Sequence, residues 1–246
     1  MRTISTDTAS LRKRFSVTRM MGLVVVALSV VAAQHVAHSA EAATSIPAPV
    51  QDENAAATHS ETAVFAGGCF WGVQGVFEHV RGVKQVASGY TGGAASTAQY
   101  EAVSEGDTGH AESVQITYDP TQITYGRLLQ IFFSVAHNPT ELDYQGPDHG
   151  TQYRSAIFPA NAAQRGIAQS YIAQLDSAHV FSAKVVTRVE DFKGFYPAES
   201  YHQNFLALHP DYPYIAINDL PKVTDLKRMF PDLYRNDPVL FTTASR

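Results

Sequence analysis

Alternating and helical hydrophobic patterns follow one another in a regular order through the middle of the sequence. Period-two alternation indicates strands, and a spacing of three to four residues indicates helices. The predicted elements are strands at 62–66, 83–90, 110–118 and 154–158, and helices at 70–79 and 124–136. Strand, helix, strand, strand, helix, strand is the order of a split βαβ sheet.

The predicted fold class is therefore α+β, with a ferredoxin-like core in which helices cover a mixed sheet. An Ala- and Gln-rich amphipathic helix at 161–178 and a further strand at 184–189 follow this core. The remainder is predicted to be a long coiled C-terminal segment, with a final helix at 226–230 that packs over the domain.

The first forty residues differ from the rest in composition. Basic residues between 12 and 19 precede an apolar run at 20–33, and small residues follow it, which is the order of a secretory signal peptide. The run is shorter than the roughly 20 residues that span a bilayer, although an uncleaved anchor is the alternative. We expect a signal at 1–40, a flexible linker at 41–60, a catalytic domain at 61–246, and an exported, periplasmic or secreted protein.

The charge divides along the same boundary. The whole chain has a net charge of −5, whereas residues 41–246 carry 13 basic and 22 acidic side chains, a net charge of −9. Such an acidic domain argues against a nucleic-acid-binding surface. We expect a monomer.

The chain contains a single cysteine, Cys69. One cysteine excludes an intramolecular disulfide, a multi-cysteine zinc site and a dithiol cycle. Cys69 lies between glycines at the predicted start of a helix, where free N–H groups are expected to lower the pKa of a thiol. A small buried core cysteine is the alternative, but the neighbouring aromatics Phe70 and Trp71 favour a pocket beside the sulfur.

Four sequence blocks carry a resemblance to a known family. They are Gly-Cys-Phe-Trp-Gly at 68–72, Ser-Gly-Tyr-Thr-Gly-Gly at 88–93, Gly-Asp-Thr-Gly-His-Ala-Glu at 106–112, and Asp-His-Gly-Thr-Gln-Tyr-Arg-Ser at 148–155. In this order they resemble the signature blocks of the A-class peptide methionine sulfoxide reductases. The resemblance extends from about residue 62 to about residue 213.

The resemblance implies the reduction of methionine S-sulfoxide, free or in proteins, to methionine, and hence protein repair. A thiolate must attack the sulfur, an acid must protonate the oxygen, and an apolar wall must hold the methyl group. Glu112 shares a strand face with Val114 and Ile116, so we expect it to point to an apolar side where burial raises its pKa; an ordinary solvated strand carboxylate is the alternative. The implied roles are attack by Cys69, proton donation by Glu112, orientation of the oxygen by Tyr100 and Tyr153, a methyl pocket of Phe70 and Trp71, and further contacts from Asp148 and His202.

Two departures from the family pattern affect the expected chemistry. Phe205 stands where many relatives have Tyr, and the sequence after residue 211 lacks the resolving cysteines of relatives that recycle internally. Cys69 is therefore expected to become a sulfenic acid that an external thiol resolves. The reductant is a small thiol or a thioredoxin- or glutaredoxin-like protein, and no bound cofactor or metal is expected.

Two other functions are compatible with parts of the sequence. A cysteine acyl-transfer hydrolase would pair Cys69 with His202 or His110. A non-enzymatic binding domain would use the aromatic residues only as a peptide-binding surface. Thiol-dependent loss of sulfoxide oxygen distinguishes the reductase from both.

Overall fold

The computed structural model describes residues 42–53 and 59–242, and the expected signal at 1–40 lies outside this part. The strands are β1 (Glu61–Gly67), β2 (Val83–Thr91), β3 (Ala111–Tyr118), β4 (Tyr144–Gln145), β5 (Asp148–His149), β6 (Ser155–Ile157), β7 (Arg188–Val189) and β8 (Phe195–Pro197). The described α-helices are α1 (Phe70–Glu78), α2 (Tyr100–Ser104), α3 (Tyr125–Ile131), α4 (Ala162–Ser177), α5 (Phe205–Leu208) and α6 (Leu220–Met229). None of these helices is long and apolar enough to cross a membrane.

Six strands form one sheet in the order β7-β6-β1-β3-β2-β8. Within it, β6-β1-β3-β2 is an antiparallel core in which β3 separates β1 from β2, with α1 connecting those two strands. This is a split βαβ arrangement, which confirms the predicted α+β class. Strand β7 pairs parallel to β6, so the complete sheet is mixed.

The main core lies between the sheet and the helices. Phe65, Val114 and Ile116 face this side, whereas Val64 and Ala66 belong to a small cluster on the opposite face. The period-two alternation of the strands produces this division. Glu112, two residues before Val114 on β3, therefore points to the side where the helices pack.

Several elements differ from the sequence-based prediction. The strand predicted at 184–189 is formed only over β7, because the N–H groups of Val185 and Val186 bond to Asp176 and Pro139 instead of to the sheet. The helix predicted at 124–136 becomes a π-helix over Phe132–Ala136. The C-terminal segment, expected to be mostly coil, contains α5, a π-helix at Ile215–Asp219, and α6.

The expected flexible linker at 41–60 is wrong for residues 42–53, which lie on the domain as an extended strap. Ile46 is buried, and its carbonyl oxygen accepts a hydrogen bond from Gln130 Nε2 at 3.0 Å. Asp52 Oδ1 accepts from the backbone N–H of Gly126 at 2.8 Å. The strap therefore supplies a carboxylate to the first turn of α3, where unpaired N–H groups stabilise negative charge.

Candidate active site

Cys69 occupies the turn between β1 and α1 and is the N-cap residue of α1. Gly68 has a φ of +88°, which favours glycine. A Cβ atom there would lie 2.6 Å from Gln145 Cβ, and one on Gly67 would lie 2.9 Å from a ring carbon of Phe132. Both glycines are thus required by the packing behind the turn that presents the sulfur.

The expected low pKa of the Cys69 thiol is wrong. Burial raises its pKa well above the ordinary value, and Glu112 and Asp219 raise it further by charge repulsion. The backbone N–H of Trp71 acts in the opposite direction. Burial and the neighbouring carboxylates raise the pKa of the thiol more than the N–H groups at the helix start lower it. Cys69 is therefore a neutral thiol at rest.

Glu112 is buried on β3 beside the first turn of α1. Its side chain is 4% exposed, and Oε2 accepts a hydrogen bond from the backbone N–H of Phe70 at 3.0 Å. Burial raises the pKa of this carboxyl to about 8, although the Phe70 bond lowers it. Glu112 is consequently protonated at neutral pH, as a proton donor must be.

Tyr100 and Tyr153 reach the region of the sulfur from two different elements. Tyr100 begins α2, and Tyr153 ends a 3-10 turn at Thr151–Tyr153. Burial raises the pKa of both phenols, and charges on Glu112 and Cys69 raise them further. Both phenols therefore keep their proton and can donate a hydrogen bond near Glu112 and Cys69.

Phe70 and Trp71 separate into an inner and an outer aromatic position. Phe70 is 2% exposed, with its ring centroid 5.1 Å from that of His202. Trp71 is partly exposed and stacks on Phe205 at 3.9 Å, with only 10° between the ring planes. Phe205, which lacks the hydroxyl of many relatives, contributes a flat apolar surface behind the indole.

Tyr214 is a site residue that the sequence reading missed. Its hydroxyl donates a hydrogen bond to Asp148 Oδ2, and its ring lies edge-on to Trp71 at 6.0 Å. Burial raises the pKa of Asp148, whereas the Tyr214 hydroxyl and the positive charge of Lys222 lower it. Asp148 is therefore held by the C-terminal segment of the chain.

Asp219 and Lys222 form a buried ion pair that was also missed, with 3.5 Å between Oδ1 and Nζ. Asp219 is completely buried, and burial raises its pKa to about 6 while Lys222 lowers it. A Cβ atom on Gly72 would lie 2.1 Å from Asp219 Oδ1, so the carboxylate packs directly against α1. The only sequence signal was an acidic residue just before a Leu-Pro helix start.

The two histidines of the hydrolase alternative have other partners. His110 Nδ1 accepts from the N–H of Gly93, and Nε2 faces the carbonyl oxygen of Ala94 at 2.9 Å. His202 Nδ1 accepts from the indole N–H of Trp71 at 3.2 Å. Within the described residues neither ring bonds to Cys69, and the acyl-transfer alternative is not supported.

All eight predicted site residues lie near the turn between β1 and α1 or on the segments that pack against this turn. Cys69, Glu112, Tyr100 and Tyr153 interact electrostatically. The others form the surrounding wall, which consists of Phe70, Trp71, His202 and Asp148.

Comparison with known proteins agrees with this geometry. The family described as peptide methionine sulfoxide reductase matches residues 61–233. Peptide methionine sulfoxide reductase MsrA 2 of Mesorhizobium japonicum is 65% identical over 190 residues, covering 77% of this chain and 97% of that protein. Peptide methionine sulfoxide reductase MsrA 2 of Synechocystis is 52% identical over 190 residues, covering 76% of this chain and 89% of that protein. The crystal structure of Mxr1 from Saccharomyces cerevisiae in reduced form is 31% identical, covers 65% of this chain and 93% of that chain, and gives a TM-score of 0.56.

Proposed function

The chain belongs to the peptide methionine sulfoxide reductase family, and we propose that Cys69 and Glu112 carry out the oxygen transfer of its thiol-dependent reduction of methionine sulfoxide. The observation that carries this assignment is the position of a protonated carboxyl beside a cysteine. Both groups meet at the first turn of α1, where Cys69 is the N-cap and Phe70 donates to Glu112.

In the proposed step the Cys69 thiolate attacks the sulfur of the sulfoxide while Glu112 gives its proton to the sulfoxide oxygen. The S=O bond breaks, the hydroxyl group moves to Cys69, and the products are methionine and a sulfenic acid. The substrate sulfur gains two electrons and Cys69 loses two. Glu112 then regains a proton from solvent.

The protonated state of Glu112 also helps to form the thiolate. An ionised carboxylate at this position raises the pKa of Cys69, so a neutral one makes the thiolate less costly. The N–H groups at the start of α1, including that of Trp71, favour the negative sulfur. Acid and nucleophile are thus compatible in one site although desolvation raises the pKa of each.

The surrounding side chains fit the two ends of a sulfoxide. Trp71, supported by Phe205, offers an apolar wall for the methyl group. The hydroxyls of Tyr100 and Tyr153 are suited to hydrogen-bond the oxygen. This unequal division of apolar and polar groups supports selection of one sulfoxide epimer, and the family resemblance makes that the S form, whether in free methionine sulfoxide or in proteins.

Recycling in this proposal requires a thiol from another molecule. The sequence contains one cysteine, so the sulfenic acid condenses with an external thiol to give a mixed disulfide and water. A second thiol then releases Cys69 and leaves with the first as a disulfide. Comparing a thioredoxin, a glutaredoxin with glutathione, and dithiothreitol at matched thiol concentration identifies the preferred class.

The test of the reaction uses the separated epimers of a methionine sulfoxide peptide with dithiothreitol. We expect reduction of the S epimer only, and no turnover by Cys69→Ser. Without reductant, mass spectrometry is expected to find one oxygen atom on Cys69 and about one methionine per enzyme. Turnover of the R epimer, or several turnovers without a thiol, would contradict the proposal.

We also propose that the enzyme acts outside the cytoplasm. The basic start, apolar run and small residues within 1–40 support export. N-terminal sequencing of the protein recovered from fractionated cells tests this. A mature chain that begins near residue 40 in the exported fraction is expected, and an intact N-terminus in the cytoplasm would contradict it.

A further inference from the structure

The arginines of the described residues divide into two groups by their partners. Five of the seven contact a carboxylate or an aromatic ring: Arg154 with Glu190, Arg165 with Asp191, Arg188 with Asp143, Arg228 with Asp225, and Arg127 with the ring of Phe230. Within the same part of the chain, Arg81 and Arg235 have neither kind of partner.

These two arginines line the same cavity. It has a volume of about 430 Å³, and its other lining residues are Gly82, Gln122, Asn236 and Asp237. Arg81 donates from Nε to the carbonyl oxygen of Tyr234 at 2.9 Å, and Arg235 donates from Nε to the carbonyl oxygen of Asp237 at 2.6 Å. Each guanidinium is therefore fixed through Nε, which leaves its terminal N–H groups for a ligand.

We propose that this cavity binds a phosphate group. Two guanidinium forks match the several oxygens of a phosphate, which accepts bidentate hydrogen bonds. The side-chain amide of Asn236 adds a neutral donor, and Gln122 Nε2, which already donates to Asp119 Oδ2 at 3.0 Å, has one further N–H. Asp237 is the one carboxylate of the lining, and it forms no ion pair with either arginine in the described structure.

The local charge is unusual for this chain. Residues 41–246 have a net charge of −9, and Arg154, Arg165, Arg188 and Arg228 are each paired with a carboxylate. Two guanidinium groups without a carboxylate partner form a small positively charged patch on an acidic protein. Such a patch attracts a multivalent anion rather than a cation or an apolar ligand.

The cavity lies away from the sulfoxide site. It follows the C-terminal end of α1, whereas Cys69 precedes the N-terminal end of this nine-residue helix, a separation of roughly 14 Å at 1.5 Å per residue. Its lining combines the turn at Arg81 with the C-terminal segment at Arg235, and Val80 and Tyr234 join these segments by a β-bridge. A bound phosphate would therefore tie the C-terminal segment to α1 without touching a reacting group.

The test measures phosphate binding to the folded protein by calorimetry and by thermal unfolding at constant ionic strength. We expect inorganic phosphate to raise the Tm in a concentration-dependent manner, because a ligand of the native state stabilises it. Combining Arg81→Gln with Arg235→Gln is expected to weaken binding at least about tenfold. Combining Arg165→Gln with Arg228→Gln removes the same charge elsewhere and is expected to stay within about twofold of the parent.

Two further arms make the result specific. Arg81→Lys and Arg235→Lys keep the charge but lose the bidentate guanidinium, so phosphate is expected to bind these variants with intermediate affinity. Glycerol phosphate and vesicles of phosphatidylglycerol, with phosphatidylcholine vesicles as control, distinguish a soluble phosphate from a lipid headgroup. Circular dichroism and unchanged sulfoxide reduction verify that the variants fold. Equal phosphate effects on the parent and on the Arg81/Arg235 variant, or no effect beyond that of chloride, would overturn the proposal.

Discussion

The pKa of Glu112 sets the shape of the pH profile that we expect for oxygen transfer. With a pKa of about 8, about nine-tenths of the carboxyl is protonated at pH 7, whereas an ordinary glutamate would be about 0.3% protonated. Burial thus increases the population of the acid by about 300-fold. The Cys69 thiol has a still higher pKa, so the active pair is a thiolate with a protonated carboxyl.

This order of pKa values predicts a specific curve for kcat/KM. Below pH 8 the rate rises about tenfold per pH unit as the thiolate forms. Above pH 8 the fraction of protonated Glu112 falls about tenfold per pH unit while the fraction of Cys69 thiolate rises about tenfold. The two changes cancel, so the rate levels off. It falls only above the pKa of Cys69.

Glu112→Gln removes the acid and with it the plateau. We expect sulfenic acid formation at pH 7 to slow on the order of 10²-fold, the usual scale for a general acid. The rate of the variant should continue to rise above pH 8, because only the thiolate then limits it. Stopped-flow measurement of methionine formation over pH 6 to 10 checks both statements, with the exposed Glu105→Gln as control. A plateau at pH 8 in Glu112→Gln, or an undiminished rate, would refute the role.

Three stability measurements test other features of the structure. Gly72→Ala places a methyl group 2.1 Å from Asp219 Oδ1 and is expected to lower the free energy of unfolding by about 2 kcal/mol. Glu78 is completely buried, and burial raises its pKa to about 8 from 4.5; the folded state therefore binds the proton more tightly, and stability falls as pH rises through this window. Glu78→Gln should remove about 1.4 kcal/mol per pH unit of that slope between roughly pH 5 and 8 in urea titrations. Asp52→Ala removes the carboxylate that accepts from Gly126 and should cost about 1 kcal/mol.

Matched variants make these measurements interpretable. Gly166→Ala adds a methyl group inside α4 with only an ordinary contact at 3.7 Å, so it should leave stability unchanged or raise it. Glu105→Gln and Asp211→Ala alter exposed carboxylates and should change neither the pH slope nor the free energy of unfolding appreciably. Equal effects in a test variant and its control would contradict the corresponding argument.

The sequence was sufficient for the four core strands β1, β2, β3 and β6 and for the orientation of Glu112, because both follow from period-two alternation, but it did not predict β8. It was insufficient for Tyr214 and Asp219, since no periodic pattern connects them to Cys69, which lies 145 residues before Tyr214. The pKa of Cys69 was misjudged for a related reason. The helix start is a local feature, whereas the opposing carboxylates come from distant segments.

For the strap at 42–53, the sequence-based expectation of flexibility was wrong because contacts from other segments were overlooked. Its Ala- and Pro-rich composition is typical of flexible segments, yet it is held by side chains that reach it from elsewhere. Tyr171, for example, donates its hydroxyl to the carbonyl oxygen of Pro47 at 2.6 Å. A composition argument considers only the segment itself and therefore misses such partners.

The distance along the chain between Cys69 and Tyr214 also has a consequence for biosynthesis. The nucleophile is translated early in the domain, whereas Tyr214 follows it by 145 residues and Asp219 by 150. A nascent chain on the ribosome therefore carries its cysteine before the groups that hold Asp148 and set the local charge exist. Because Asp219 raises the pKa of Cys69, the thiol is expected to ionise more readily in a chain that stops before residue 219 than in the full-length protein.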